Sequence, residues 1–331
     1  MNRVLVPLTL HPDSLPGHPV GAVMHVLQGE TMGTTWSLRA LASEAVKPRL
    51  QMGAQQVLDL VVSQMSHWQE QSDLGRYNHA AAGSWLKLQP EFFEVLTAAQ
   101  RYADESAGAF DPTVGPLVNA WGFGPSPKRT TPPSPQEIEQ ARAQVGWQRL
   151  QLDNAKREVL QPGGVQLDLS SIAKGFAVDQ LARYLQSNGI DHWMVEVGGE
   201  LRGQGCKLDG EPWWIELERL STEFPRTLLA LHGLSVASSG DYRRYFECEG
   251  RRYAHTLDPR SGQPVSHALA AVTVLHAECM HADAMATVLA VLEPAEAYDF
   301  ACRRNIAALF VLRKDEHFEE RMTPHFEALL G

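Results

Sequence analysis

From residue 213 to 275 the sequence reads as one strand after another, broken by Gly, Asp, Ser and Pro turns and carrying no helical period. The helical patterns lie outside that stretch. Apolar residues recur at helical spacing over 50–67 (Val57, Leu60, Val61, Met65) and over 91–106 (Phe92, Val95, Leu96, Ala99). Further helices are expected over 135–144, over 171–187 and over 282–292. Period-2 alternation predicts strands at 24–27 and 35–40, with others near 149–168 and over Trp193–Val197. The pattern mixes helices and strands without regular βαβ alternation, so a doubly wound parallel sheet is not the first choice and an α+β fold is expected.

The chain has 331 residues, of which 44% are hydrophobic, enough to bury a large core, so a disordered chain is excluded. Length alone suits two domains of about 150 residues each. Lys and Arg total 29 against 39 Asp and Glu, a net charge of −10, which argues against nucleic-acid binding. Cys206, Cys248, Cys279 and Cys302 contain no CxxC pair and read as ordinary reduced thiols. No apolar run approaches the roughly 18 residues of a membrane helix. Residues 1–22 are rich in Pro and His and are expected to be a flexible leader without signal-peptide or lipoprotein features. That favours a cytoplasmic location, with the periplasm as the alternative if the start is misassigned. The Pro-rich segment 125–135 is a loop, either between two subregions or on the surface of one domain.

GxGxxG, GxxxxGK[ST] and GxSxG are all missing, which removes the standard routes to dinucleotide enzymes, P-loop enzymes and esterases. Four other segments carry chemistry. Leu167-Asp-Leu-Ser-Ser-Ile-Ala-Lys-Gly175 opens a helix that Asp168, Ser170 or Ser171 can cap. The same helix start, with Lys174, also offers N–H groups and a cation to a phosphate. In His281-Ala-Asp-Ala-Met-Ala-Thr-Val-Leu289, Asp283 and Thr287 share a helix face, a hard-oxygen pair suited to Mg²⁺ or Ca²⁺. His276, Cys279 and His281 offer a competing transition-metal set whose spacing fits no common zinc site. Gly108-Ala-Phe-Asp-Pro-Thr-Val-Gly-Pro-Leu117 and Trp121-Gly-Phe-Gly124 read as a fixed loop with rings for stacking or packing. Finally, Val236-Ala-Ser-Ser-Gly-Asp-Tyr-Arg-Arg244 forms a Ser/Gly turn, and His255 near Asp258 is a candidate general base.

Together with Gly29-Glu-Thr-Met-Gly-Thr34, Ser72-Asp-Leu-Gly-Arg-Tyr-Asn78 and Val197-Gly-Gly-Glu200, these segments resemble, in order, the ApbE family of FAD:protein FMN transferases. The resemblance implies one large α+β domain over residues 23–331, with a T-fold-like core and two lobes around an FAD site. It implies transfer of the FMN half of FAD to a Thr or Ser hydroxyl of another protein, with Mg²⁺ as cofactor and AMP released. It places Met32, Trp68, Ala109, Phe110, Asp111, Ser170, Lys174, Phe176 and Leu257 against FAD. Asp283, Thr287 and the Ala173 carbonyl become the Mg²⁺ ligands. Ala286 departs from members that carry an acidic residue there. The implied acceptor bears a Ser/Thr-Gly-Ala-Thr-like segment, as in a respiratory-complex subunit or a flavinylated reductase; this chain has none. A Thr hydroxyl needs a base nearby, for which His255 and Asp258 are the candidates, His255 preferred. The alternatives are hydrolysis of FAD to FMN and AMP, and a flavin carrier without catalysis.

Overall fold

The structure, a computed structural model, describes residues 2–7, 10, 15, 17–315 and 317–330. Its organising element is a meander. Val23–Thr31 (β1) and Thr34–Ala42 (β2) form a hairpin whose two turn residues, Met32 and Gly33, both take positive φ, 51° and 70°. Among the helices that follow before the chain returns to the sheet, the longest are Lys47–Met65 (α1), Pro90–Glu105 (α2) and Ala173–Ser187 (α3). Trp193–Val197 (β3), Glu200–Gln204 (β4), Leu234–Gly240 (β5) and Leu269–His276 (β6) come next, then helix Cys279–Val291 (α4). Ala307–Lys314 (β7) and His317–Met322 (β8) complete an eight-stranded sheet in which spatial order equals chain order and every pair is antiparallel. The α+β architecture is the one expected.

Side chains alternate across a strand, so β3, β5, β6 and β7 each serve two cores. Val195, Val197, Ala237, Val274 and Phe310 face the main core, where α3 packs on β3 and β4 and α4 packs on β5 and β6. Met194, Val236, Leu275 and Leu309 face a second core on the other side of the sheet. That side is covered by a three-stranded sheet of Arg3–Leu5, Thr227–Leu231 and Trp213–Glu216, with the short helix Pro324–Glu327. Residues 1–22 are therefore not a flexible leader throughout. Arg3–Leu5 pairs in parallel with 227–229, and Leu5 is fully buried, because its apolar side chain helps close the second core. Part of that stretch lies outside the described residues.

The Pro-rich segment 125–135 is a surface loop rather than a boundary. A small cluster joins Leu117, Trp121 and Phe123 before it to Ile138 and Ala141 after it. Beyond the loop, Ser134 and Glu137 form a capping box on helix Pro135–Arg142.

Two helix starts differ from the sequence reading, for one reason. α4 begins at Cys279, three residues before the expected 282, and α3 has no local side-chain cap from Asp168, Ser170 or Ser171. Instead each helix caps the other. Asp179 of α3 accepts from Cys279 N (3.0 Å) and Met280 N (2.8 Å), while Asp283 of α4 accepts from Gly175 N (2.9 Å). These carboxylates satisfy the orphan N–H groups that local residues leave open, from about a hundred positions away. Gly175 makes the approach possible, because a Cβ there would collide with the Cys279 carbonyl.

Candidate active site

The two helix starts form one wall of a cavity of about 730 Å³, within the roughly 300–1,000 Å³ usual for cofactor-sized ligands. Met32 enters from the β1–β2 turn, Trp68 from the end of α1, and Ala109, Phe110 and Asp111 from the loop after α2. Ser170, Ala173 and Lys174 line it from the start of α3, Asp283 and Thr287 from α4, and His255 and Leu257 from the strand-rich segment. Met32 is a non-glycine residue at positive φ, a strained position of the kind retained at ligand sites. Trp68 is 57% exposed, an indole face left open at this wall.

Asp111 builds its own loop. Its Oδ1 accepts from Thr113 N (2.8 Å) and Thr113 Oγ1 (2.6 Å), and its Oδ2 from Trp147 N (3.1 Å). Burial pushes its pKa up while these hydrogen bonds pull it back.

The charged centre is buried. Lys174 Nζ is hydrogen-bonded to Glu200, and the Asp283 carboxyl faces the same ammonium. Burial alone would lower the Lys174 pKa, but Asp283 and Glu200 outweigh it and raise it. Burial pushes Glu200 up to about 7 and also raises Asp283. Two carboxylates thus face one ammonium, and Glu200 Oε2 is buried without a hydrogen-bond partner. An orphaned carboxylate oxygen, in a cavity wall that also carries the Asp283 carboxylate, the Thr287 hydroxyl and Ala173, leaves a hard-oxygen set with an unmet demand for positive charge, which fits Mg²⁺.

His255 is half-buried. Its Nδ1 donates to the Arg244 carbonyl (3.0 Å), which leaves Nε2 as the bare, basic nitrogen. Crowding by protein pushes its pKa down to about 4, so the ring is neutral near pH 7.

Two expected site residues are placed elsewhere. Asp258 is not in the cavity wall. It lies on a two-residue strand where Leu257 points inward and Asp258 outward, and Arg260 holds its carboxylate through Nε at 2.9 Å and Nη2 at 3.1 Å. Phe176 is fully buried in the main core, turned there by the helix that presents Ala173 and Lys174 to the cavity. The His276, Cys279 and His281 set does not converge either: the Cys279 thiol meets the Leu201 carbonyl, and His281 meets Tyr102 and Glu278.

The sequence reading passed over Glu200, His67, Arg243 and Arg244, all of which line the cavity. Glu200 closes the Val197-Gly-Gly-Glu200 motif, and the arginines follow Ser238-Ser-Gly-Asp-Tyr242, so both stood in view without a role. Arg243 pairs with Glu218, Arg244 donates to the Phe123 carbonyl, and His67 lies 3.8 Å from Asp168. Cations of the chain itself therefore face the space, beyond the metal and helix N–H groups expected.

The sequence matches the ApbE family over residues 32–310. It is 37% identical to a FAD:protein FMN transferase of Haemophilus influenzae over 92% of this chain and 90% of that one. It is 36% identical to the one from Vibrio cholerae, with 92% of each chain covered. Among solved structures, the apo flavinyl transferase ApbE of Pseudomonas stutzeri superposes with a TM-score of 0.87 at 38% identity, covering 94% of this chain and 98% of that one. The flavin transferase ApbE of Vibrio cholerae matches with the same TM-score at 34% identity, over 93% and 100%. Fold and site thus define an enzyme of the flavin-transferase class. The chain belongs to the ApbE family.

Proposed function

We propose that this chain transfers FMN from FAD to a Thr or Ser hydroxyl of an acceptor protein bearing a Ser/Thr-Gly-Ala-Thr-like segment, releasing AMP. The observation that carries the proposal is the convergence of Asp283, Thr287, Ala173 and His255 with Met32, Trp68, Ala109, Phe110, Asp111 and Leu257 on one cofactor-sized cavity.

In the reaction, the acceptor oxygen bonds to the FMN-side phosphorus, the bond from that phosphorus to the AMP oxygen breaks, and the hydroxyl proton goes to His255 Nε2. The hydrogen bond from Nδ1 to Arg244 fixes the ring for that task, and its low pKa keeps Nε2 unprotonated. Asp283, Thr287 and the Ala173 carbonyl would hold Mg²⁺, which would supply the positive charge that phosphoryl transfer requires. Arg243, Arg244 and Lys174 add cationic groups along the wall, and Trp68 and Phe110 offer rings for stacking. Positioning and charge account for more of the acceleration than the base does.

The test mixes purified protein, FAD, Mg²⁺ and a candidate acceptor. The expected result is a flavin-fluorescent acceptor band on a denaturing gel, with AMP released in equal amount and the band lost when the acceptor Thr is replaced by Ala. Equal AMP and free FMN with no covalent band would instead identify a hydrolase. FAD binding with no turnover would identify a carrier.

A further inference from the structure

A second cluster of metal-ligating side chains lies outside the flavin cavity: none of its members lines that space. His192 immediately precedes β3 and Cys206 closely follows β4, so both stand at the same end of one hairpin, where Trp193 pairs with Gln204. His18 reaches them from the N-terminal segment. The His192 and Cys206 side chains are buried, and the three potential ligand atoms lie within 4.8 Å of one another.

The two sulfur-to-nitrogen edges have the length that a coordination tetrahedron requires. Cys206 Sγ is 3.4 Å from His18 Nε2 and 3.7 Å from His192 Nδ1. A tetrahedral Zn²⁺ with bonds of about 2.3 Å to sulfur and about 2.05 Å to nitrogen requires S···N edges of about 3.5 Å. The protonation pattern agrees. The Cys206 backbone N–H donates to His192 Nδ1 (3.0 Å), so that nitrogen is unprotonated, and a cation bound there takes over the lone pair from this hydrogen bond. One cation placed among them meets all three atoms at once. Thiol and imidazole donors select Zn²⁺-like ions over Mg²⁺, which separates this cluster chemically from the oxygen set of the cavity.

We propose that His18, His192 and Cys206 form a Zn²⁺-class site, with water as fourth ligand, that clamps the N-terminal segment onto the end of the β3–β4 hairpin. Binding converts the thiol to a thiolate and releases its proton to solvent.

The test uses chelator-treated full-length protein and Co²⁺ as the probe. Titration is expected to give one thiolate-to-cobalt charge-transfer band, saturating at one ion per chain and abolished by equimolar Zn²⁺. Cys206→Ser is expected to lose the band, and His18→Ala to weaken Co²⁺ binding by about tenfold or more with unchanged circular dichroism. Zn²⁺ is also expected to slow proteolytic cleavage of the N-terminal segment. No band, or a band that survives in Cys206→Ser, overturns the proposal. Should Cys206→Ser fail to fold, wild-type affinity in His18→Ala overturns it alone.

Discussion

At the scale of single residues, His255 and Asp283 make opposite demands on their surroundings. His255 is held neutral, with a pKa near 4 against about 6.5 in an unfolded chain. As pH falls from about 6.5 to 4 the unfolded chain takes up a proton that the folded one refuses, so this residue costs stability in that window. The same shift predicts that kcat/KM for transfer stays level through the ordinary histidine range. It falls only toward pH 4, and an acid limb centred near 6.5 would show that His255 is not the base. His255→Ala is expected to slow transfer by about 10²–10⁴-fold while FAD binding, read by quenching of flavin fluorescence, holds. Asp283 serves both as the α3 cap and as the proposed metal ligand, so Asp283→Asn separates the two. The amide oxygen still accepts from Gly175, and the fold is expected to persist while the Mg²⁺ needed for half-maximal rate rises steeply. An unchanged Mg²⁺ requirement would remove Asp283 from the ligand set. Much of this chemistry is legible in the chain, because Asp283 and Thr287 must share a helix face whatever the fold. Asp258 misled, since closeness to His255 in sequence says nothing about which face of a strand it takes.

At the scale of elements, the helix pair α3–α4 decides the site. Gly175→Ala drives a methyl group against the Cys279 backbone and is expected to cost about 1–3 kcal/mol, measured as a lower urea midpoint at unchanged m-value. Loss of FAD binding should accompany it, because Ala173 and Asp283 part together. If the midpoint stays at the wild-type value, the close approach is not a constraint. Helix bodies were readable from the spacing of residues such as Leu181 and Leu185. Their starts were not, because the caps are tertiary: Asp179 sits mid-helix, where a carboxylate ordinarily reads as a solvated surface residue.

For the molecule as a whole, one sheet with two cores sets the frame. The N-terminal strand belongs to the second core, and Leu5→Ala is expected to destabilise the protein by about 2–5 kcal/mol in equilibrium unfolding. The apparent Kd for FAD should not change, since no residue of that strand lines the cavity. A cost below about 0.5 kcal/mol would mean the strand is not part of the folded unit. A mixture of helix and strand patterns without regular βαβ alternation made the α+β class visible in advance. The three-residue strand at Arg3–Leu5 was not visible: it is too short for alternation to register, and its partner lies more than two hundred residues away.

The exchange of caps between α3 and α4 also bears on how such a sequence can change over generations. Asp179 and Asp283 each complete the helix on which the other stands, so neither position can drift alone. A replacement without an acceptor oxygen at one strands backbone groups at the start of the partner helix, and a compensating change has to arise across the interface rather than next door in the chain. The routes open to this pocket therefore run through its rings and loops, where Trp68 or Arg243 can be exchanged one at a time, while the helix junction is passed on as a unit.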